Sequence, residues 1–170
     1  MSHAYEVTAW QPFYETVVPA AAALLGLLFV AASIRIAAVT DSARHRARAR
    51  ESLGQLLVLV LTGVLVLIPG QDREALGAEI LAYGLIVVGV TGTLQINTLR
   101  RLPVEQQRRW LLRDMTYNVG VISIPVAGLG LLFHILGGLY WLVVATLVFF
   151  PWACLQAWSL LVEGGPAETR

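Results

Sequence analysis

The sequence predicts an all-α, polytopic transmembrane helical bundle of five spans, with the N-terminus outside and the C-terminus cytoplasmic. Three observations predict it. Four windows of helix length or longer contain no Asp, Glu, Lys or Arg. The longest of them, 115–162, is more than twice as long as one crossing requires and has Gly137-Gly138 at its centre. The arginines, finally, are concentrated in alternate connections between the windows.

An apolar helix needs about 20 residues to cross a hydrocarbon core of about 30 Å. The stretches 16–34, 52–71 and 80–99 form uncharged windows, each long enough for one crossing. The fourth window is too long for a single helix, so a hairpin is expected, turning at Gly137-Gly138. Tyr140 and Trp141 follow that turn and suit headgroup depth. The expected spans are 13–37, 53–69, 78–98, 115–136 and 139–162, in one transmembrane domain over 1–170. Helices are expected rather than barrel strands because the windows are continuously apolar instead of alternating. A 57% hydrophobic, 14% charged composition agrees, since soluble domains carry about 25% charge. The mean hydropathy of +0.70 is far too high for a soluble globule to hide.

The first span is preceded by Glu6 and Glu15 and by no Lys or Arg, the reverse of a basic signal-peptide flank, so it is expected to stay attached. Arg44, Arg46, Arg48 and Arg50 lie in the basic loop 38–52, with Arg35 at the helix edge. Arg100, Arg101, Arg108, Arg109 and Arg113 lie in the second basic loop, 99–114. The connection between spans two and three holds Arg73 beside Asp72 and Glu74. By the positive-inside rule both basic loops are cytoplasmic. That places eleven Arg and six carboxylates inside, and one Arg and five carboxylates outside. Insertion and attraction to anionic lipid account for most of this asymmetry. Within 99–114, Pro103 suits a first helical position, opening either a short interfacial helix or a cytoplasmic extension of span four.

Inside the bundle, small residues are the expected contacts, because lipid removes the hydrophobic force between helices. Ala20, Ala21, Ala22, Ala23 and Gly26 offer such a face on span one, with Ala22 and Gly26 four apart, as do Gly84, Gly89, Gly92 and Thr93 on span three and Gly120, Ser123, Ala127, Gly128 and Gly130 on span four; these faces either hold the bundle together or dimerise it. Pro125 and Pro151 stand equally far from Gly138 on its two sides, so a hairpin puts them at one depth. They are candidate hinges, or matched bends that only let two helices pack. The candidate polar intramembrane residues are Arg35, Gln95, Asn97, Asn118, His134 and Gln156. His134 approaches the depth of Glu15 and Glu79, where it either joins a proton-binding cluster or bonds a carbonyl or water. Arg35 either pairs with Glu163 or reaches the headgroups. Gln55, Gln95, Asn97, Asn118 and Gln156 either line an inner cavity or hydrogen-bond between helices.

No enzyme is expected. His3, His45 and His134 lack metal-ligand spacing, and there is no phosphate-binding glycine loop, serine elbow or carboxylate pair. Neither cofactor nor metal is implied. Cys154, the only cysteine, allows no internal disulfide and is expected to be a buried, inert thiol. No aromatic or glycine pattern accompanies the arginines, so nucleic acid is not an expected partner. Arg100, Arg101, Arg108 and Arg109 are instead candidate contacts for anionic lipid headgroups or a protein partner.

Trp10 and Phe13, then Ala20, Ala21, Ala22 and Ala23, then Gly26-Leu27-Leu28-Phe29-Val30-Ala31-Ala32-Ser33, resemble the opening of a family of small bacterial five-span membrane proteins. The ending Ala157-Trp158-Ser159-Leu160-Leu161-Val162 is similar to that family's ending, although an acidic residue often stands there in place of Ser159. Members are mostly uncharacterised, and some carry an automatic label as modulators of the FtsH membrane protease. The resemblance implies a bacterial inner-membrane location. Two functional classes follow: a non-enzymatic interaction or regulatory protein working through its basic cytoplasmic loops, or a small oligomeric ion or solute channel or transporter. The low intramembrane charge favours the first.

Overall fold

The computed structural model describes residues 2–34, 43–100 and 104–162, with side chains for 4–34, 50–97, 99–100, 115–155 and 158. Among these are a short 3-10 turn, Ser2–Tyr5, five α-helices and no strand. The helices are α1 (Val7–Ile34), α2 (Ala43–Val66), α3 (Arg73–Leu99), α4 (Val104–Phe133) and α5 (Tyr140–Val162). Three stretches are long and apolar enough to cross a membrane: Val7–Ile34, Arg73–Asn97 and Met115–Phe133. Tyr140–Leu155 is a shorter apolar helix.

The helices pack in the order α3, α4, α5, α2, α1, with lighter contacts between α1 and α5 and between α2 and α3. The hairpin of α4 and α5 therefore lies at the centre. Burial follows that order: 44% of the apolar window of α4 is inside the protein, against 11% for α1. Much of the outer surface is apolar. Leu27, Phe29, Ile86 and Leu147 are 62–68% exposed. A soluble monomer rarely tolerates such a surface, whereas lipid is as apolar as these side chains.

Close backbone approach joins α3 to α4. A Cβ on Gly84 would stand 2.6 Å from the backbone nitrogen of Pro125, and one on Gly128 would stand 2.5 Å from that of Leu81. Ile80, Ile124 and Leu131 fill the core around this crossing. On the other face of α4, Gly120 lies under Val148 and Phe149 of α5. On α2, Gly63 lies under Val18 and Tyr14 of α1.

Several expectations are corrected. On α1 the buried stripe is Val7, Tyr14, Ala21 and Leu28, a heptad repeat, while Ala22 and Gly26 face outward. Of the small residues expected to pack on this helix, Ala21 lies in the stripe, between the large side chains Tyr14 and Leu28. The same stripe carries the helix back to Val7, well before the expected boundary at 13. Gly89 and Gly92 likewise have open space at the Cβ position. The basic loops are shorter than 38–52 and 99–114, because α2 starts at Ala43 and α4 at Val104. A charged helical turn can extend beyond the apolar window at no cost once it lies in water. Of the two forms weighed for 104–114, the helix continuous with span four is the one adopted. Cys154 is exposed rather than buried, on the wall of an open crevice beside α1 and α2.

These contacts predict opposite signs for two glycine substitutions. Gly84→Ala is expected to lower thermal stability in detergent by about 1–3 kcal/mol, because a backbone atom must move. Gly92→Ala, with open space, is expected to be neutral or to stabilise by up to about 1 kcal/mol through helix propensity. Thermal unfolding followed by circular dichroism checks both, and equal effects would contradict the crossing.

Candidate functional site

The polar side chains gather at two ends of the bundle. At one end is the hairpin turn. Helix α4 stops at Phe133, and His134 adopts φ 54°, the left-handed conformation that terminates helices. Ile135 N–H then donates to Gly130 C=O (3.2 Å), the six-to-one bond of a Schellman cap. Leu136, Gly137 and Gly138 also have positive φ, at 59°, 82° and 48°. Only Gly tolerates the last position sterically, because a Cβ there would lie 2.6 Å from the carbonyl oxygen of Ala4.

That carbonyl belongs to the N-terminal 3-10 turn, which straps the hairpin. Ala4 C=O accepts from Leu139 N–H (3.0 Å), and the Tyr5 hydroxyl accepts from Gly137 N–H (3.2 Å). The Tyr5 ring lies 5.1 Å from the exposed His134 ring, tilted by 32°. Trp10 meets Tyr140 edge-on at 4.9 Å, and Trp141 Nε1 donates to Leu136 C=O (2.6 Å). His134 is thus held by aromatic contact.

Arg73 ties the start of α3 to the same end. Asp72 caps α3 by accepting from Ala75 N–H (2.9 Å). Arg73 donates to Leu131 C=O, one of the carbonyls left over at the end of α4, where a cation also suits the helix dipole. It also approaches Glu74 at 3.4 Å, and Gln71 donates to Glu79. Of the carboxylates near His134 in expected depth, Glu79 accepts from Gln71.

Towards the other end, Gln95 Nε2 donates to Asn118 Oδ1 (2.8 Å), joining α3 to α4 in a half-buried position. Asn97 is exposed. Gln55 is 1% exposed, and both of its side-chain amide atoms are buried without a hydrogen-bond partner among the described residues. The Trp152 Nε1 donor is in the same state. Pro125 is buried at the α3 crossing, whereas Pro151 is exposed, so the two prolines present different faces. An apolar crevice of about 30 Å³ lies between α1, α2 and α5, lined in part by Leu24, Leu27, Leu28, Leu56 and Cys154. Neither proline nor any of the candidate amides is among its lining residues. Arg100 is exposed at the end of α3. Arg35, Arg101 and Glu163, and the side chains of Arg108, Arg109 and Gln156, lie outside the described residues.

Two features had little or no sequence signal. The strap of Ala4 and Tyr5 joins the start of the chain to a turn near its far end, and nothing in either segment announces the other. Arg73 was visible as the lone arginine of its connection, and the Asp72-Arg73 start of a helix is the signal that places it beside a neighbouring helix end.

Among the described residues no group of three or more His, Cys, Asp or Glu side chains could hold a metal ion. What the geometry provides is helix-to-helix joining. A double-mutant cycle of Gln95→Leu and Asn118→Leu is expected to return a coupling of about 0.6 kcal/mol, and under about 2 kcal/mol, in detergent unfolding. Strict additivity would show that the pair contributes nothing. Comparison with protein-family models, with curated proteins and with solved structures returned no match to this chain.

Proposed function

We propose that this chain is a five-span membrane protein of the bacterial inner membrane, N-terminus outside, with an interaction or regulatory role. Its basic cytoplasmic segments meet anionic lipid or a membrane-protein partner, and it carries out no chemistry of its own. The likeness in layout to the small five-span family agrees with this reading. The observation that carries it is the fate of the intramembrane polar side chains. Gln95 and Asn118 are used on each other, Asn97 faces outward, and the crevice is apolar. A conducting path requires polar groups that converge on one wet passage. The segregation of eleven arginines to one side supports the orientation.

The topology is tested by single cysteines placed at Asp72 and Arg108 in a Cys154→Ser background. Position 72 is expected to react with an impermeant maleimide added outside cells, and position 108 only after permeabilisation. Labelling of both from one side would remove a span.

The role is tested with purified protein. Arg108→Gln with Arg109→Gln is expected to weaken association with anionic vesicles or co-purifying membrane partners. The expected loss is about 1 kcal/mol per arginine, with folding unchanged. No ion flux into liposomes is expected. Reproducible flux that survives the arginine changes and is abolished by Asn118→Leu and Gln156→Leu would overturn the reading in favour of a channel.

A further inference from the structure

The turn Ser2–Tyr5 is fastened to the α4–α5 hairpin by a few contacts, and one of them involves a side chain that can change its charge. Ala4, 5% exposed, accepts from Leu139 N–H (3.0 Å), and the Tyr5 hydroxyl accepts from Gly137 N–H (3.2 Å). Both amides lie between the end of α4 and the start of α5, so opening of the strap removes their partners. The two pieces are closely seated, since a Cβ on Gly138 would stand 2.6 Å from Ala4 O and 2.9 Å from Tyr5 Cδ1. Across the same joint the Tyr5 and His134 rings have centroids 5.1 Å apart and planes tilted by 32°. A cation within about 6 Å of an aromatic centroid is attracted by the ring quadrupole. Histidine is the residue type whose charge changes between about pH 5 and pH 8. Neutral, His134 gives Tyr5 a ring contact; protonated, it adds attraction between charge and ring.

Other charged groups stand on the elements that meet here. The strap and the start of α1 carry His3, Glu6 and Glu15, and the start of α3 brings Asp72, Arg73, Glu74 and Glu79. Arg73, on the Leu131 carbonyl close before His134, opposes a second positive charge, whereas the carboxylates favour one. The groups of α3 act on His134 with the strap open or closed. The Tyr5 contact is made only when it is closed. The closed state therefore holds the His134 proton more tightly than the open state does. By linkage, closure strengthens as pH falls and weakens as pH rises.

We propose that the N-terminal turn is a proton-sensitive strap, closed more tightly over the α4–α5 hairpin when His134 is protonated. Protonation thereby sets how firmly the start of the chain is fastened to the centre of the bundle. The device goes beyond the interaction reading and does not rest on it.

The test is amide hydrogen exchange at Gly137 and Leu139, followed by NMR on the full chain in detergent. A His3→Asn background leaves the strap no histidine of its own. Rates are measured at about pH 8 and about pH 5.5, a window above the ordinary carboxyl range, and each is divided by that of an unstructured peptide at the same pH. Protection is expected to rise about two- to five-fold towards the lower pH, the size of an exposed cation–ring contact. His134→Asn, whose side chain tolerates the left-handed backbone found there, is expected to remove that rise. Tyr5→Phe keeps the ring and is expected to lower protection of Gly137 while retaining the pH dependence. Tyr5→Leu is expected to lose the dependence, and circular dichroism melts verify the fold of each variant. Equal protection at both pH values in the parent would overturn the proposal, as would a rise that persists in His134→Asn. A rise that persists in Tyr5→Leu would overturn it in favour of attraction between His134 and Glu6.

Discussion

The close approach of α3 and α4 is the constraint on which the rest of the bundle depends. Two glycines, Gly84 and Gly128, place backbone directly on Pro125 and Leu81, at separations no Cβ would allow. In lipid, such approach is a main source of helix association, because apolar side chains are equally well solvated outside the bundle. It also uses Pro125 well. The rigid ring sits buried at the crossing, against Gly84, and α4 continues as one helix to Phe133. With α4 held on one face by α3, its other face is left for α5, where Gly120 receives Phe149. Helix α5 in turn carries α2 and, through it, α1.

The hairpin turn is secured from outside itself. A turn with four positive-φ residues, two of them non-glycine, is a strained way to reverse a chain. The strap of Ala4 and Tyr5 supplies hydrogen-bond partners to Gly137 and Leu139, and Arg73 supplies one to Leu131. Backbone groups at a helix end have no partner within the helix, so these bonds satisfy groups that the turn alone would leave open. The N-terminus, the start of α3 and the α4–α5 turn consequently form one connected end.

The opposite end has a different character. Its polar side chains are used between helices, as in the Gln95–Asn118 bond, or left buried without a partner among the described residues, as in Gln55. Arginines flank it in sequence at both connections. One end is thus tied together by hydrogen bonds, while the other is flanked in sequence by arginines, of which Arg50 and Arg100 are exposed. That contrast agrees with an interaction reading centred on the basic end.

The all-helical class and the position of the hairpin were legible in the sequence, because both follow from one-dimensional quantities. The length of an uncharged run is set against the thickness of a bilayer, and a glycine pair interrupts a run too long for one helix. The extent of α1 and α2 was less legible, since charge marks where a window ends and not where a helix does. Which small residues pack was decided only in three dimensions. Gly84 and Gly128 are buried at a crossing while Gly26 and Gly92 face open space, and the four have similar sequence surroundings. Rotation about a helix axis distinguishes them, and that rotation is fixed by partners on other helices. The same holds for Asn118 against Asn97, and for Pro125 against Pro151. The sequence by itself determined where apolar helices lie and where charge collects. Only the tertiary structure decided which face of each helix is inside, because in a chain apolar on every side, hydrophobicity no longer separates inside from outside.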